Sequence, residues 1–197
     1  HVNYVDDQGK LIHTTTVNGQ TDQTGEVPSE VPDGWMLYSG QSIPKSITFQ
    51  AVNNDRDYVV KHVQSFVLST APKETGTIIE GTKAKTYPAG VSDADLNKTV
   101  TRTILVKDAN GRAVNTKTQT VHFIRNAVVD AVTGHVDYLG WSEDGSHIFA
   151  AYTPVPKNGY TINSAKMATV TPKDTDSTVE LTYKTIPKTI TVEYMTT

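Results

Sequence analysis

The chain contains no cysteine among its 197 residues. A disulfide framework, a thiolate nucleophile and a zinc site with sulfur ligands are therefore excluded. Small exported animal domains usually carry disulfides, so an exported chain of this composition reads as bacterial. No apolar run approaches the roughly 20 residues that span a bilayer. There is no long basic run, and the net charge is −3, which argues against nucleic acid as the main partner. Phenylalanine is scarce, at four residues, so the two tryptophans are wanted as bulky core filler. The chain opens on His1 with neither Met nor a leader, and is expected to be an excised piece whose targeting segments lie elsewhere.

Threonine is abundant. Thirty of them, with many valines and tyrosines, point to strands rather than helices. The chain is long enough for one large domain or two small ones, and an internal duplication favours two. Val31-Pro32-Asp33-Gly34-Trp35 recurs as Val155-Pro156-Lys157-Asn158-Gly159-Tyr160, in each case a proline turn, a glycine and a large ring. Gly34 to Tyr58 and Gly159 to Tyr183 are both 24 residues, which pairs the two tyrosines in the sequence frame.

Taken in order, Val2 to Val5 reads as a strand, Asp6-Asp7-Gln8-Gly9 as a turn, and Leu11 to Val17 as the returning strand. A short helical link follows near Glu26 to Val31, limited to a turn or two by Pro28 and Pro32. Gly34 to Tyr38 and Asp57 to Val63 complete a set of two strands, a link and two strands. That is a β-grasp layout, a helix across one face of a four-stranded sheet. Ser65 to Val100 is punctuated by Pro72, Gly76, Gly81, Pro88 and Gly90, and Ser92 with Asp93 and Asp95 caps one helical turn. The domain boundary is placed near Ser69, and the punctuated segment is assigned to the second domain as added strands.

The second unit starts with Thr103 to Lys107, the Asn110-Gly111 hairpin signal and a strand from Thr116 to Ile124. Its last strand, Thr178 to Lys184, alternates cleanly. Gly9 to Gly34 spans 25 residues and Gly111 to Gly159 spans 48, so the second unit is enlarged, with Tyr138 and Trp141 in the added loop. Ile190 to Tyr194 resembles the opening Val2-Asn3-Tyr4. The expected division is thus 1–69, a first domain; 70–187, a second, enlarged domain; and 188–197, the start of a further copy or a linker.

Candidate chemistry is sparse. Gly76 to Lys83 has P-loop glycine spacing, but threonine stands where lysine must reach the phosphates. Gly140 to Gly145 is one residue too long for a nucleophile elbow. Glu143 and Asp144 are adjacent on one loop and do not flank a sugar as paired glycosidase carboxyls do. The six histidines show no metal-ligand spacing. Asp6-Asp7-Gln8-Gly9 and Asp108-Ala109-Asn110-Gly111 hint at calcium loops, yet lack the later bidentate glutamate and read first as hairpin turns. The expectation is no enzyme, no cofactor and no metal, with calcium ranked below the turn reading.

The opening Val-x-Tyr-Val-Asp-Asp-x-Gly-Lys, the Thr24-Gly25 and Thr133-Gly134 pairs, Val121-His122-Phe123-Ile124-Arg125, Trp141 and Pro156 to Tyr160 together resemble the MucBP pattern. Over nearly the full length the chain resembles a Mub repeat, the tandem unit of mucus-binding surface proteins of lactic-acid bacteria. The resemblance implies a mainly β, α+β chain of two related β-grasp (ubiquitin-like) domains in line, with mixed sheets and little helix. The first would be similar to the protein L repeat. It also implies an extracellular, cell-wall-anchored parent at the bacterial surface and a tandem array that binds mucin glycoproteins through their glycans.

Aromatic rings offer flat faces to sugar C–H groups, and Tyr138 and Trp141 lie where loops carry function. They are the candidate glycan-binding residues. Trp35, Tyr58, Tyr160 and Tyr183 belong to the duplicated frame and read as core, and core packing is the competing reading for Trp141. The alternative is an immunoglobulin-binding module of protein L type, using Lys10 to Val17 as an exposed edge strand together with the short helix. A third reading is a spacer that binds nothing.

Overall fold

The computed structural model describes residues 1–195. It is mainly β, with 41% strand and 2% helix, as expected. The chain forms two compact units. Unit 1 holds His1–Leu96 and Arg125–Gly140; unit 2 holds Asn97–Ile124 and the chain from Trp141 onward.

In unit 1 the first seven strands are β1 (Val2–Val5), β2 (Leu11–Thr15), β3 (Thr24–Glu26), β4 (Trp35–Leu37), β5 (Ser46–Thr48), β6 (Arg56–His62) and β7 (Gln64–Val67). The main sheet runs β2-β1-β6-β4, with the central pair β1 and β6 parallel and the outer pairs antiparallel. Alternation puts Val2 and Tyr4 on the buried face, where they pack with Val27 and Val60. The helix expected at Glu26 to Val31 is absent. In its place β3 pairs with β5, and the Val27 amide donates to Lys45 O at 2.8 Å. Pro28 and Pro32 supply no amide hydrogens, so an extended, cross-braced segment is the better solution there.

Helix α1 (Asp93–Leu96) is a single turn held by a capping arrangement in which the Ser92 amide and hydroxyl donate to Asp95 Oδ2, as the sequence expects. The chain then forms β8 (Asn97–Lys107) and β9 (Ala113–Ile124) of unit 2. It returns to unit 1 as β10 (Ala127–Asp130) and β11 (Val136–Tyr138). A second sheet, β11-β10-β7, closes unit 1 over Val67, Ile79, Tyr87, Val91, Leu96, Ala127 and Val129. The segment 70–96 therefore belongs to unit 1, and the division differs from the expected one after residue 69. The reason is burial: Ile79 and Tyr87 have their apolar partners on β7 and β10.

Unit 2 continues with β12 (Ser142–Glu143), β13 (Ile148–Phe149), β14 (Tyr160–Thr161), β15 (Ala168–Thr169), β16 (Ser177–Thr182) and β17 (Lys184–Thr185). Its main sheet runs β12-β9-β8-β16, with β8 and β16 parallel. Residues 186–195 carry no strand, and Ile190, Val192 and Tyr194 are exposed. The last two residues of the expected 188–197 segment lie outside the described residues.

The duplication is visible bond by bond. Asp6 Oδ1 accepts the amides of Gln8 and Lys10, and Asp108 Oδ1 accepts those of Asn110 and Arg112. The β1–β2 ladder shifts register between Tyr4 and Val5, and the β8–β9 ladder between Val106 and Lys107. Trp35 faces His62 on β6, while Tyr160 faces Thr185 on β17. Val63 N donates to Gly34 O, and Ile186 N to Gly159 O. These pairs make Tyr183 the counterpart of Val60 and Leu181 the counterpart of Tyr58. The shared 24-residue spacing is thus two residues out of structural register. A two-residue slip keeps every side chain on its own face, so the sequence pattern survived it.

Candidate functional site

Tyr138 ends β11 in unit 1 and is 43% exposed. Its hydroxyl donates to Gly90 O at 2.8 Å, and the Arg125 guanidinium sits 3.5 Å from the ring centroid. Arg125 is itself fixed, since its Nε donates to Asp95 O and its amide to Leu96 O. Gly90 has φ +104, and a Cβ there would lie 2.6 Å from the Tyr138 hydroxyl, so both backbone and ring demand glycine. The ring is thus held in place before any ligand arrives, with a cation on one face. A sugar stacking on it would use the remaining exposed surface.

Trp141 begins the second part of unit 2 and is half-buried. It packs against the cluster of Val100, Val121, Phe123, Phe149 and Val170. The core-filler role named for it in the sequence is the one its surroundings match. The two candidate rings fall in different compact units and are considered separately.

The remaining sequence candidates take structural positions. Ser142 and Glu143 pair with Ile124 and Phe123, and the Asp144 amide donates to His122 O, so the Glu143-Asp144 pair lies on a strand edge and turn. His122 is exposed, with Nδ1 2.9 Å from Thr99 Oγ1. In the glycine-spaced segment, Thr82 Oγ1 donates to Ile79 O and Lys83 pairs with Glu30 at 2.9 Å. Among the described residues no three His, Cys, Asp or Glu side chains are grouped as a metal site requires.

One feature was missed. Arg102 occupies an inward position of β8, between Val100 and Ile104, and is only 4% exposed. Its Nε and one Nη2 hydrogen donate to Gln119 Oε1, at 2.9 and 2.6 Å. Nη2 also donates to Ala150 O and Nη1 to Lys166 O, both at 2.7 Å. The Phe149 ring centroid lies 4.9 Å from the guanidinium carbon. Burial pushes the pKa of this group down, yet arginine remains charged in any ordinary medium. Arg102 also lines an open cavity of about 350 Å³. The signal was legible: Val100, Arg102, Ile104 and Val106 share one strand phase, and a charge in that phase needs a reason.

With this geometry in view, the comparisons define the class. Residues 91–187 match the Muc B2-like domain family. The chain is similar to the structure of Mub-RV at 28% identity, over 94% of this chain and 97% of that one, with a TM-score of 0.67. It also matches the type 2 repeat of the mucus binding protein MUB from Lactobacillus reuteri, at 22% identity over 94% and 97% of the two chains and a TM-score of 0.46. A MucBP domain of the adhesion protein from Pediococcus pentosaceus matches at 28% identity over 46% of this chain and 100% of that one, with a TM-score of 0.40. No curated protein matches. The domain match and the similarity to Mub-RV along 94% of the chain support a Mub repeat, with residues 91–187 as its Muc B2-like part.

Proposed function

We propose that this repeat works at the bacterial cell surface, in a cell-wall-anchored parent, by attaching to mucin glycoproteins through their glycans. The observation that carries the reading is the similarity to Mub-RV along 94% of the chain. Tyr138 supplies a ring of the right kind, half-exposed and pre-positioned by Gly90 and Arg125. A single sugar contact of this sort is weak, and linked copies raise avidity through effective concentration. No catalytic step is proposed, and no cofactor. The carboxylates of Asp6 and Asp108, the calcium candidates, each accept two backbone amides of their own turns.

Pulldown with intact mucin, deglycosylated mucin and purified immunoglobulin fragments tests the reading. Binding that disappears on deglycosylation supports it, and retention on light chains supports the protein L alternative instead. In that alternative β2 would be the docking strand, and it does lie at the edge of its sheet. The helix that should accompany it is replaced by the β3–β5 ribbon. That absence leaves the glycan reading ahead.

A further inference from the structure

Arg102 brings a full positive charge into unit 2 and meets only neutral oxygens there. Its acceptors are the Gln119 amide and the carbonyls of Ala150 and Lys166. Among the described residues no carboxylate forms an ion pair with it. Burying a charge without an opposite one is costly, and uncharged hydrogen bonds offset only part of that cost. These four bonds use four of the five N–H groups a guanidinium carries, which leaves one Nη1 hydrogen without an acceptor among the described residues.

The same side chain forms part of the wall of a cavity. That cavity measures about 350 Å³, at the small end of the roughly 300–1,000 Å³ range of ligand sites. Besides Arg102 and Phe149, its wall carries Thr169, Thr175 and Ser177, whose hydroxyls both donate and accept, and Asp174. A buried cation, hydroxyls and an apolar ring form a set suited to a sugar bearing a negative group.

We propose that this cavity is a subsite for an anionic sugar, with Arg102 receiving its carboxylate or sulfate ester. The inference rests on the glycan reading above and adds the chemistry of the residue recognised. Arginine suits either group, because its planar fork matches paired oxygens. Asp174 is the element that works against it. Its Oδ2 accepts the amide and hydroxyl of Thr171, at 2.7 and 2.9 Å, so it stays ionised and repels an incoming anion. Asp174 thereby limits affinity, and its removal acts in the direction opposite to a structural loss.

The test is a heteronuclear NMR titration of the whole chain with four probes: N-acetylneuraminic acid, its methyl ester, galactose 6-sulfate and galactose. The expected result is saturable shifts of the Arg102 side-chain N–H and the Thr175 and Ser177 amides with one or both acids at millimolar concentration. The neutral pair should leave them unmoved. Which acid acts separates a carboxylate from a sulfate source. Asp174→Asn should tighten the acid about threefold or more, whereas Arg102→Gln should abolish the shifts. Unfolding of the Arg102 variant would leave the Asp174 variant as the deciding one. Equal shifts from acid and neutral probes, or none from either acid, overturn the subsite. If the chain then still binds intact mucin, the glycan reading stands without it. Acid binding in a chain that ignores mucin would support the subsite and sink the broader reading.

Discussion

His62 Nδ1 lies 2.6 Å from Asp130 Oδ2, joining two residues 68 positions apart and fastening the end of β6 to the end of β10 within unit 1. The Trp35 ring meets the His62 ring edge-on at 4.3 Å, so the imidazole is held from both sides. Burial alone would raise the Asp130 pKa. The His62 ring, the amides of Thr133 and Val132 and the Gln64 amide outweigh it and hold the carboxyl well below its ordinary 3.8. Because the folded pKa is depressed, the stabilisation is fully present above the unfolded value. It is lost as pH falls from there through the folded value.

Asp130→Asn should accordingly cost unit 1 about 2 kcal/mol at neutral pH. Urea unfolding of the wild-type chain should weaken between about pH 5 and pH 2, and the variant should show a shallower dependence over that window. Parallel pH curves for the two proteins would remove Asp130 from this role.

Tyr4 is fully buried in the first sheet, and its hydroxyl has no hydrogen-bond partner among the described residues. Burial, then the nearby Tyr58, raises its pKa, which keeps the phenol neutral. An unsatisfied buried hydroxyl costs about 1–3 kcal/mol relative to an apolar group of the same shape. Tyr4→Phe should therefore stabilise unit 1 by about 1 kcal/mol, read as a higher urea midpoint. The equivalent position in unit 2 is Val106, which has no hydroxyl to satisfy. A lower midpoint for the variant would show that the hydroxyl does find a partner in solution.

Gly159 sits at φ +80 with open space where a Cβ would project, whereas at Gly34 a Cβ would meet the Lys85 side chain at 3.1 Å. Gly159→Val should cost unit 2 about 1–2 kcal/mol from backbone strain. Gly34→Val should cost unit 1 more, because strain and collision add. Thermal unfolding of both variants checks the order, and an unshifted Gly159→Val protein would contradict it.

Trp141→Ala should destabilise unit 2 by about 2 kcal/mol, since half of a large ring leaves an apolar cluster. Tyr138→Ala should instead weaken mucin binding while unit 1, which carries that ring, stays folded. Calorimetry and a mucin binding isotherm on the two variants separate core from contact. Equal loss of mucin affinity at equal stability would return Trp141 to the binding surface.

The strands that frame each sheet were readable because their information is local. Asp6 and Asp108 close their own turns, and β8 and β9 alternate around a hairpin signal. What escaped was set by distant partners. The segment after Ser69 reads from its sequence as added strands of the second domain, whereas Ile79 and Tyr87 pack against Ala127 and Val129 of unit 1, roughly fifty residues on. The missing helix depended on β5, a three-residue strand with no pattern of its own, reaching β3. At the candidate sites, Tyr138 is exposed, yet it ends strand β11 of unit 1 rather than lying in an added loop of the second unit. Arg102 stood out only as a charge in an apolar strand phase, and two of its three acceptors are backbone carbonyls, which leave no mark in a sequence.

The claim on which most rests is that this chain adheres to mucin sugars and does so better in copies. Surface plasmon resonance on immobilised mucin, using one chain and four linked chains before and after enzymatic removal of O-glycans, tests it directly. The linked form should bind at least about 100-fold more tightly than the single chain, and both signals should vanish with the glycans. Undiminished binding to the stripped mucin, or no binding by the linked form to intact mucin, would contradict the account.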